Sequence, residues 1–300
     1  MDNVGTSSRF AGVYAATTTP FTADGRLDPD RFAEHCSWLV DSGVRGIVPN
    51  GSLGEYETLT EDERRLTVTT AISAVAGRAP VVPGVSGRGA GEAVRWTEQA
   101  AEAGAAAVMC LPPTSHAPTP DEVVAHFAAV AGVGLPVIAY NNPFSTRVDL
   151  TPSLLARLAE IENVVGVKEF SQDVRRVALI RELAPSLEVI VGCDDLLAEG
   201  VLMGATGWIA GFVNAIPEPS VRLFDLCAQG KWDEGLALYR ALLPVLRYDA
   251  DPTFVQAIKL GQEEAGRYGG PVRPPRLPLS EAEEAAVRRD AREAIEAAAR

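Results

Sequence analysis

The sequence predicts an α/β fold, namely a (β/α)8 TIM barrel with a C-terminal three-helix extension. From Gly12 onward, short apolar or β-branched runs alternate with amphipathic segments of helical length. Eight such strand and helix pairs fit between residues 12 and 228, which favours a closed barrel over an open doubly wound sheet. Beyond residue 228, helical segments follow without another strand. We therefore expect a barrel over residues 1–228 and a helical region over residues 229–300.

Each predicted unit is a strand pattern followed by a helix pattern. Two helices have clear start signals, because Asp28 precedes Pro29 and because Thr60 and Glu63 have the spacing of a capping box. The strands, each paired with its helix, cover residues 12–20 and 28–42, 46–49 and 60–76, 80–85 and 90–103, 106–111 and 119–131, 136–140 and 151–161, 164–168 and 174–183, 187–192 and 196–203, and 207–213 and 218–228. The three further helices cover residues 231–246, 252–265 and 280–298.

The composition narrows the classes of partner and the compartment. A net charge of -13 argues against nucleic-acid or anionic-membrane binding, which both need basic surface. The polar start, residues 1–10, lacks a signal-peptide core, and no apolar run reaches membrane-spanning length. The four cysteines are far apart and form no CxxC motif, which indicates buried thiols in a reducing cytoplasm. We expect a cytoplasmic protein that acts on a small molecule.

One lysine interrupts an apolar stretch, and it is the first candidate for chemistry. Lys168 follows Val164 to Val167 in a run that reads as a strand buried on both faces. Burial disfavours the charged form of a lysine, so such a side chain can become a nucleophile toward carbonyls and form a Schiff base. The alternative is a lysine at a strand end that pairs with Glu169 or reaches water. The stretch alone leaves both interpretations open.

The barrel prediction places other candidate residues near this lysine, because active sites of such barrels lie where the strands end. The loop at residues 50–55 has glycines flanking Ser52 and Leu53, whose amides could hold a carboxylate, although an ordinary glycine-containing turn has the same pattern. Tyr140 ends the fifth predicted strand and could exchange protons beside the lysine, or simply pack at the rim.

Metals and nucleotide cofactors are not indicated by the sequence. Asp194 and Asp195 are adjacent acidic residues, but no histidine or third acidic residue accompanies them, so Asp195 is better explained as a helix N-cap. Neither a GxGxxG motif nor a P-loop lysine is present. We expect no metal and no cofactor.

Three motifs together resemble a known family. They are the GxxGE loop at residues 51–55, the YNxP segment at 140–143 and the VxxKE segment at 165–169. In their spacing, and over nearly the whole chain, they resemble the dihydrodipicolinate synthase and N-acetylneuraminate lyase family of class I, Schiff-base aldolases. The resemblance implies a barrel enzyme that acts on a 2-oxo acid or a related imino acid, and a homotetramer built from dimers.

The resemblance also implies roles for particular residues. Lys168 would form the Schiff base, and Tyr140 would relay protons. Ser52 and the Leu53 amide would bind the substrate carboxylate, and Ile209 on the eighth predicted strand would line the pocket.

Departures from the synthase pattern narrow the implied activity. True dihydrodipicolinate synthases have a GTTGE loop, a tyrosine pair after the fourth strand and an arginine five residues after the YNxP tyrosine. The corresponding positions here are Ser-Leu at 52–53, Thr114 with Ser115, and Ser145. Arg147 lies two residues beyond the arginine position, where it could bind a different carboxylate or be an ordinary surface residue.

The second half of the chain is more similar to one group of relatives. Residues 140–143, 147–150, 168–169, 173–176, 194–195, 204–208, 214–215 and 272–278 resemble the bacterial 1-pyrroline-4-hydroxy-2-carboxylate deaminases of hydroxyproline breakdown. That resemblance implies deamination with dehydration to 2,5-dioxopentanoate. The alternatives are 4-hydroxy-tetrahydrodipicolinate synthase or another pyruvate-dependent aldolase and, in a different class, a non-catalytic barrel that senses a 2-oxo acid.

Overall fold

The computed structural model describes residues 8–298 and is a parallel barrel surrounded by helices. Its strands are β1 Gly12–Ala16, β2 Gly46–Val48, β3 Val108–Cys110, β4 Val137–Asn141, β5 Val164–Glu169, β6 Glu188–Val191 and β7 Gly207–Ala210. Its α-helices are α1 Pro29–Asp41, α2 Glu61–Val75, α3 Ala90–Ala103, α4 Pro120–Ala131, α5 Pro152–Leu158, α6 Arg175–Leu183, α7 Leu197–Leu202, α8 Pro217–Ala228, α9 Trp232–Leu246, α10 Phe254–Glu264 and α11 Glu281–Ala298. The predicted TIM barrel with three further helices is confirmed.

The seven strands are hydrogen-bonded in the order β2, β1, β7, β6, β5, β4, β3, and every pair is parallel. The predicted third strand, residues 80–85, closes the ring. Val82 N donates to Ile47 O at 2.8 Å, and Val85 N donates to Met109 O at 2.9 Å. It makes only isolated bridges because Pro80 and Pro83 lack the N–H groups that a continuous ladder needs. The predicted sixth strand is therefore β5 in the structure.

The helix start signals read from the sequence are present. Asp28 accepts a hydrogen bond from Arg31 N at the start of α1, and Thr60 and Glu63 form the reciprocal capping box of α2. Strand interiors are apolar, so the barrel and the inner faces of its helices form one core. None of the helices in the described residues is long and apolar enough to span a membrane.

The helices after α8 extend over the carboxyl-terminal ends of the strands. Between α9 and α10, the 3-10 turn Arg247–Ala250 contacts the turn Asp194–Leu196 that follows β6. Gln262 of α10 accepts a hydrogen bond from Thr18 Oγ1 at 2.9 Å, just beyond β1. The C-terminal helices thus help to enclose the end of the barrel where a site is expected. The division at residue 228 stays a prediction.

Candidate active site

A cavity of about 300 Å³ opens at the carboxyl-terminal ends of the strands. Its walls come from strand ends, from the loop after β2 and from the C-terminal region. The lining residues are Ala16, Gly51, Ser52, Leu53, Met109, Tyr140, Asn142, Phe144, Ser145, Lys168, Phe170, Gln172, Asp249, Ala250, Asp251, Pro252 and Phe254. A cavity of this size, mostly apolar with a few polar groups, suits a small metabolite.

Lys168 lies in the wall of this cavity and is only 6% exposed. Its Nζ is 4.4 Å from the centroid of the Tyr140 ring on the neighbouring strand. Glu169 points away, and its carboxylate accepts hydrogen bonds from Asn141 Nδ2 at 3.0 Å and from Ser171 N at 2.7 Å. Successive side chains of a strand face opposite sides, so Lys168 and Glu169 cannot pair as the alternative interpretation required.

The chain has three lysines, and their surroundings distinguish them. Lys231 is exposed on the surface. Lys259 is buried, with its Nζ 2.9 Å from Glu55 Oε1 and 2.7 Å from Pro271 O. Lys168 forms no ion pair with any carboxylate between residues 8 and 298. Of the three, Lys168 alone combines burial, access to a cavity and an uncommitted amine.

The Tyr140 side chain lines the cavity and is held by two neighbouring side chains. Its hydroxyl oxygen accepts a hydrogen bond from Asn142 Nδ2 at 3.0 Å, while Asn142 Oδ1 accepts from Ser145 N at 3.0 Å. Because Asn142 supplies a donor, the tyrosine's own hydroxyl hydrogen is available to a ligand. Phe170 stacks edge-on against the Tyr140 ring, with centroids 6.5 Å apart, and limits its motion.

The loop after β2 offers free backbone donors. The amides of Gly54 and Glu55 are bonded within the loop, to Gly51 O and Ser52 O. The amides of Ser52 and Leu53 donate to no acceptor in the portion of the chain that the structure describes, and both residues line the cavity. Adjacent unpaired N–H groups of this kind form an anion site.

Glu55 anchors the end of this loop to the C-terminal region. It adopts a left-handed conformation, with φ 53°, and its side chain is fully buried. Its carboxylate is bound by Lys259 Nζ and by the amide of Arg273, at 2.9 and 3.0 Å. A left-handed non-glycine residue persists only where its surroundings hold it, and here buried charge pairing holds it.

Two carboxyl groups lie behind Lys168. Asp194 accepts hydrogen bonds from Trp208 Nε1 at 2.9 Å and from Phe212 N at 2.7 Å, yet burial still raises the pKa of its carboxyl to about 6. Burial and the neighbouring Asp194 also raise the pKa of Asp249, while Lys168 opposes that rise. Low dielectric disfavours two like charges side by side, which is why each of the two acids opposes ionisation of the other.

The comparisons with known proteins agree with this geometry. The chain matches the model of the dihydrodipicolinate synthetase family over residues 9–294. It is 35% identical over 280 residues to a 4-hydroxy-tetrahydrodipicolinate synthase from Methanosphaerula palustris, covering 91% of this chain and 94% of the relative. The chain belongs to the dihydrodipicolinate synthetase family. Family members are class I, Schiff-base lyases, and this chain is an enzyme of that class.

Two further members extend the comparison. A 4-hydroxy-tetrahydrodipicolinate synthase from Xanthomonas campestris pv. campestris is 36% identical over 293 residues, with 95% of both chains covered. The solved structure of the 4-hydroxy-tetrahydrodipicolinate synthase from Methylacidiphilum fumariolicum SolV has a TM-score of 0.93 at 27% identity, covering 97% of this chain and 98% of that one. The family assignment therefore applies to nearly the whole chain.

The structure brings most of the predicted site residues of this family member together. Lys168, Tyr140, Ser52 and Leu53 all line the cavity. Ile209 is buried on β7 and pairs with Tyr14, but it is not among the cavity-lining residues. The roles of all five residues stay predictions.

The structure also shows where the residues that depart from the synthase pattern lie relative to the cavity. Ser145 lines the cavity, whereas Arg147 is exposed and does not. Thr114 Oγ1 donates to Gly87 O, and Ser115 bonds to His116, so both hydroxyls have partners outside the cavity. The prediction that Asp195 caps a helix is wrong, because a 3-10 turn spanning Asp194–Leu196 runs into α7 and puts Leu196 at the N-cap.

Sequence reasoning missed the contribution of the C-terminal region. Asp249, Asp251 and Phe254 line the cavity although they lie outside the eight strand and helix units. The rule that sites lie at strand ends directs attention away from a segment between two helices. The only local signal was the sequence Asp-Ala-Asp-Pro, residues 249–252, which breaks a long helical pattern.

Proposed function

We propose that this member of the family deaminates 1-pyrroline-4-hydroxy-2-carboxylate to 2,5-dioxopentanoate and ammonia, acting as a lyase and hydrolase. The observation that carries the proposal is the charge of the cavity. Lys168 is the one basic side chain among the described lining residues, and it shares the cavity with two acidic side chains, Asp249 and Asp251. Such a site suits a substrate with a single carboxylate and with an amine at its other end.

The reaction begins with attack by neutral Lys168 on C2 of the ring, the C=N carbon that bears the carboxylate. The C2–N1 bond breaks, which leaves an imine on Lys168 and a free amine on C5. The Ser52 and Leu53 amides hold the carboxylate, and Tyr140 moves protons. Loss of a C3 proton gives an enamine, which expels the 4-hydroxyl as water.

Hydrolysis completes the turnover. The double bond moves to give an imine at C5, and one water converts it to an aldehyde with release of ammonia. A second water cleaves the bond to Lys168 and releases 2,5-dioxopentanoate. One water is lost and two are consumed, so the net reaction uses one water.

A second candidate is 4-hydroxy-tetrahydrodipicolinate synthase, which is favoured by the names of the relatives described above. That condensation joins pyruvate to a semialdehyde that carries its own carboxylate. Ser145 occupies the position where the synthases have arginine, and the exposed Arg147 is outside the cavity lining. A second carboxylate would therefore meet acidic side chains in place of a guanidinium group.

The Schiff base is tested by borohydride reduction in the presence of the hydroxypyrroline or pyruvate, followed by peptide mass mapping. We expect the adduct on Lys168 and none on Lys231 or Lys259, which act as internal controls. Lys168→Ala should lose the adduct, whereas Lys231→Ala should keep it. Absence of an adduct on Lys168 would contradict every Schiff-base function.

Turnover separates the candidates. Formation of 2,5-dioxopentanoate and ammonia from the hydroxypyrroline supports the proposal, and Lys168→Ala should abolish it. Condensation of pyruvate with the semialdehyde, without deamination, would establish the synthase instead. Binding without turnover of any of these compounds would support the sensor interpretation.

We also propose that the enzyme is a cytoplasmic homotetramer. Large apolar side chains are exposed on successive helices: Leu179 and Leu183 on α6, Leu202 on α7 and Met203 directly after it. Exposed apolar side chains of this kind are common at subunit contacts. Light scattering should give about four times the chain mass of 31.8 kDa, and Leu202→Asp should lower it. A wild-type chain that scatters as a monomer would contradict this.

A further inference from the structure

The C-terminal region places one carboxyl group in the wall of the reaction cavity. Asp249 belongs to the 3-10 turn Arg247–Ala250 and is 9% exposed. It lines the same cavity as Lys168, Tyr140 and Ser52. Asp249 contributes to the acidic character of the cavity, but the steps described above assign it no proton transfer.

The Asp249 carboxyl is unusual because one of its two oxygens lacks a hydrogen-bond partner in the described part of the chain, although a backbone hydrogen bond from Asp194 acts on the carboxyl. Its Oδ2 is buried and has no hydrogen-bond partner among the described residues. Its Oδ1 lies against Gly211, where an added Cβ would come within 2.1 Å of it. A buried polar atom without a partner costs free energy, so its retention in a reaction cavity points to a ligand partner.

The groups around the Asp249 carboxyl disfavour its ionisation, so that it can donate a proton. Asp194 and Asp195 from the turn after β6 and Lys168 from β5 are the charged groups that act on it. Asp194 is already held by the Trp208 indole and by backbone amides, so it is the better site for the negative charge. No ion pair joins Asp249 to Lys168 within residues 8–298. Burial and Asp194 therefore raise the pKa of Asp249 and favour its acid form.

We propose that Asp249 is the general acid that protonates the departing 4-hydroxyl of the substrate. This inference rests on the proposed deaminase function. In the step, the electron pair of the enamine forms the C3=C4 bond while the C4–O bond breaks. The leaving oxygen takes the proton from Asp249 and departs as water, and the carboxylate regains a proton from solvent water before the next turnover.

Protonation of the leaving group matters because hydroxide is a poor leaving group. A positioned general acid typically contributes about 10²- to 10⁴-fold to such a step. Asp249→Asn keeps the shape of the side chain but cannot give up a proton. We expect it to lower the rate of 2,5-dioxopentanoate formation on the order of 100-fold or more. Asp233→Asn, the same change at an exposed position of α9, is the matched control and should keep the wild-type rate.

A second readout separates acid catalysis from a positioning role. Exchange of the methyl protons of pyruvate in D₂O, followed by NMR, requires the Schiff base and proton relay but no C–O cleavage. Asp249→Asn should leave this exchange at the wild-type rate. Borohydride added during hydroxypyrroline turnover should trap, in this variant, only Lys168 adducts that retain the 4-hydroxyl, while the wild type also yields the dehydrated adduct.

Gly211→Ala provides a second variant, because its new Cβ displaces the Asp249 carboxyl without changing Asp249 itself. It should show the same split between slow turnover and normal exchange. Loss of exchange together with turnover in both variants would overturn acid catalysis, as would wild-type turnover by Asp249→Asn. Failure of the wild-type chain to form a Lys168 adduct would instead contradict the proposed function itself.

Discussion

Lys168 and Glu169 are neighbours in sequence, yet the structure gives them opposite surroundings. Lys168 faces the cavity beside the Tyr140 ring, and Glu169 bonds with Asn141 and Ser171 on the other side of the strand. The alternation of side chains along a strand makes this separation unavoidable once β5 sits between β4 and β6. The access of Lys168 to the cavity is therefore a consequence of its position in the strand.

The first prediction for a single residue concerns the hydroxyl group of Tyr140. Tyr140→Phe keeps the ring beside Lys168 but removes the hydroxyl, so we expect turnover of the hydroxypyrroline to fall on the order of 100-fold or more. The Lys168 adduct should still be trapped by borohydride. Tyr268→Phe, whose hydroxyl donates to Phe21 O outside the cavity, should have wild-type turnover. Equal rates for both variants would remove Tyr140 from the mechanism.

At the scale of elements, the loop after β2 depends on a helix more than 200 residues away in sequence. Lys259 of α10 and Glu55 are 204 positions apart and form an ion pair with 2% and 0% side-chain exposure. This pair and the Arg273 amide hold the loop that presents the Ser52 and Leu53 amides. We therefore expect binding of a substrate carboxylate at these amides to depend on correct packing of the C-terminal helices.

Removal of one partner from this pair should be costly. Lys259→Met leaves the Glu55 carboxylate buried with fewer partners, so we expect the free energy of unfolding to fall by about 3–5 kcal/mol. Urea unfolding measures the change. Arg26→Met is the matched control, because its pair with Asp24 is 79% and 61% exposed, and it should change stability by less than about 1 kcal/mol. Similar small losses in both variants would show that the buried pair is dispensable.

An ion pair between Arg273 and Glu63 joins the proline-rich segment before α11 to α2. This pair predicts that the stability of the fold depends on pH. Hydrogen bonds from Arg273 lower the pKa of Glu63 to about 2 in the folded chain, below the value of about 4.3 expected when unfolded. A lowered carboxyl pKa stabilises the fold above pH about 4.3, and this contribution disappears as the pH falls toward about 2.

Glu63→Gln keeps the capping-box acceptor but removes the charge. We therefore expect it to be less stable than the wild type at pH 7 in urea unfolding, and the difference to shrink steadily below pH about 4. Glu283→Gln is the control, because Glu283 caps α11 through Ser280 and has no arginine partner in residues 8–298. A difference that does not change with pH would mean that the Arg273 pair contributes no stability.

At the scale of the whole molecule, the C-terminal helices are part of the site. The region after α8 contributes Asp249, Asp251 and Phe254 to the cavity, and its Lys259 supports the loop after β2. The predicted division into residues 1–228 and 229–300 therefore separates two parts that share one functional site.

A truncated chain tests that division. A fragment of residues 1–228 loses both the cavity wall and the partner of the buried Glu55, so we expect it to form no borohydride-trapped adduct on Lys168. The fragment should also fail to turn over the hydroxypyrroline. Circular dichroism and mass mapping provide the measurements. A fragment that folds and traps the adduct as well as the full chain would show that the barrel is an independent domain.

The sequence by itself determined the barrel, the strand that carries Lys168 and the motifs of the family. Periodicity and capping signals are local, and the order of strands in a closed parallel barrel follows from chain order. The irregular third strand, residues 80–85, was predicted only in part. Its prolines interrupt the hydrogen-bond ladder with the neighbouring strands but do not prevent closure of the barrel. Only the tertiary structure decided which charged side chains contact one another.

The pairing of Glu55 with Lys259 and the position of Asp249 beside Lys168 join segments that are distant in sequence. No local pattern encodes such contacts, since they depend on how the C-terminal helices pack over the ends of the strands. The sequence therefore predicted the nucleophile from its strand and the proposed substrate from a resemblance, whereas the charged groups that surround the nucleophile emerged only from the folded chain.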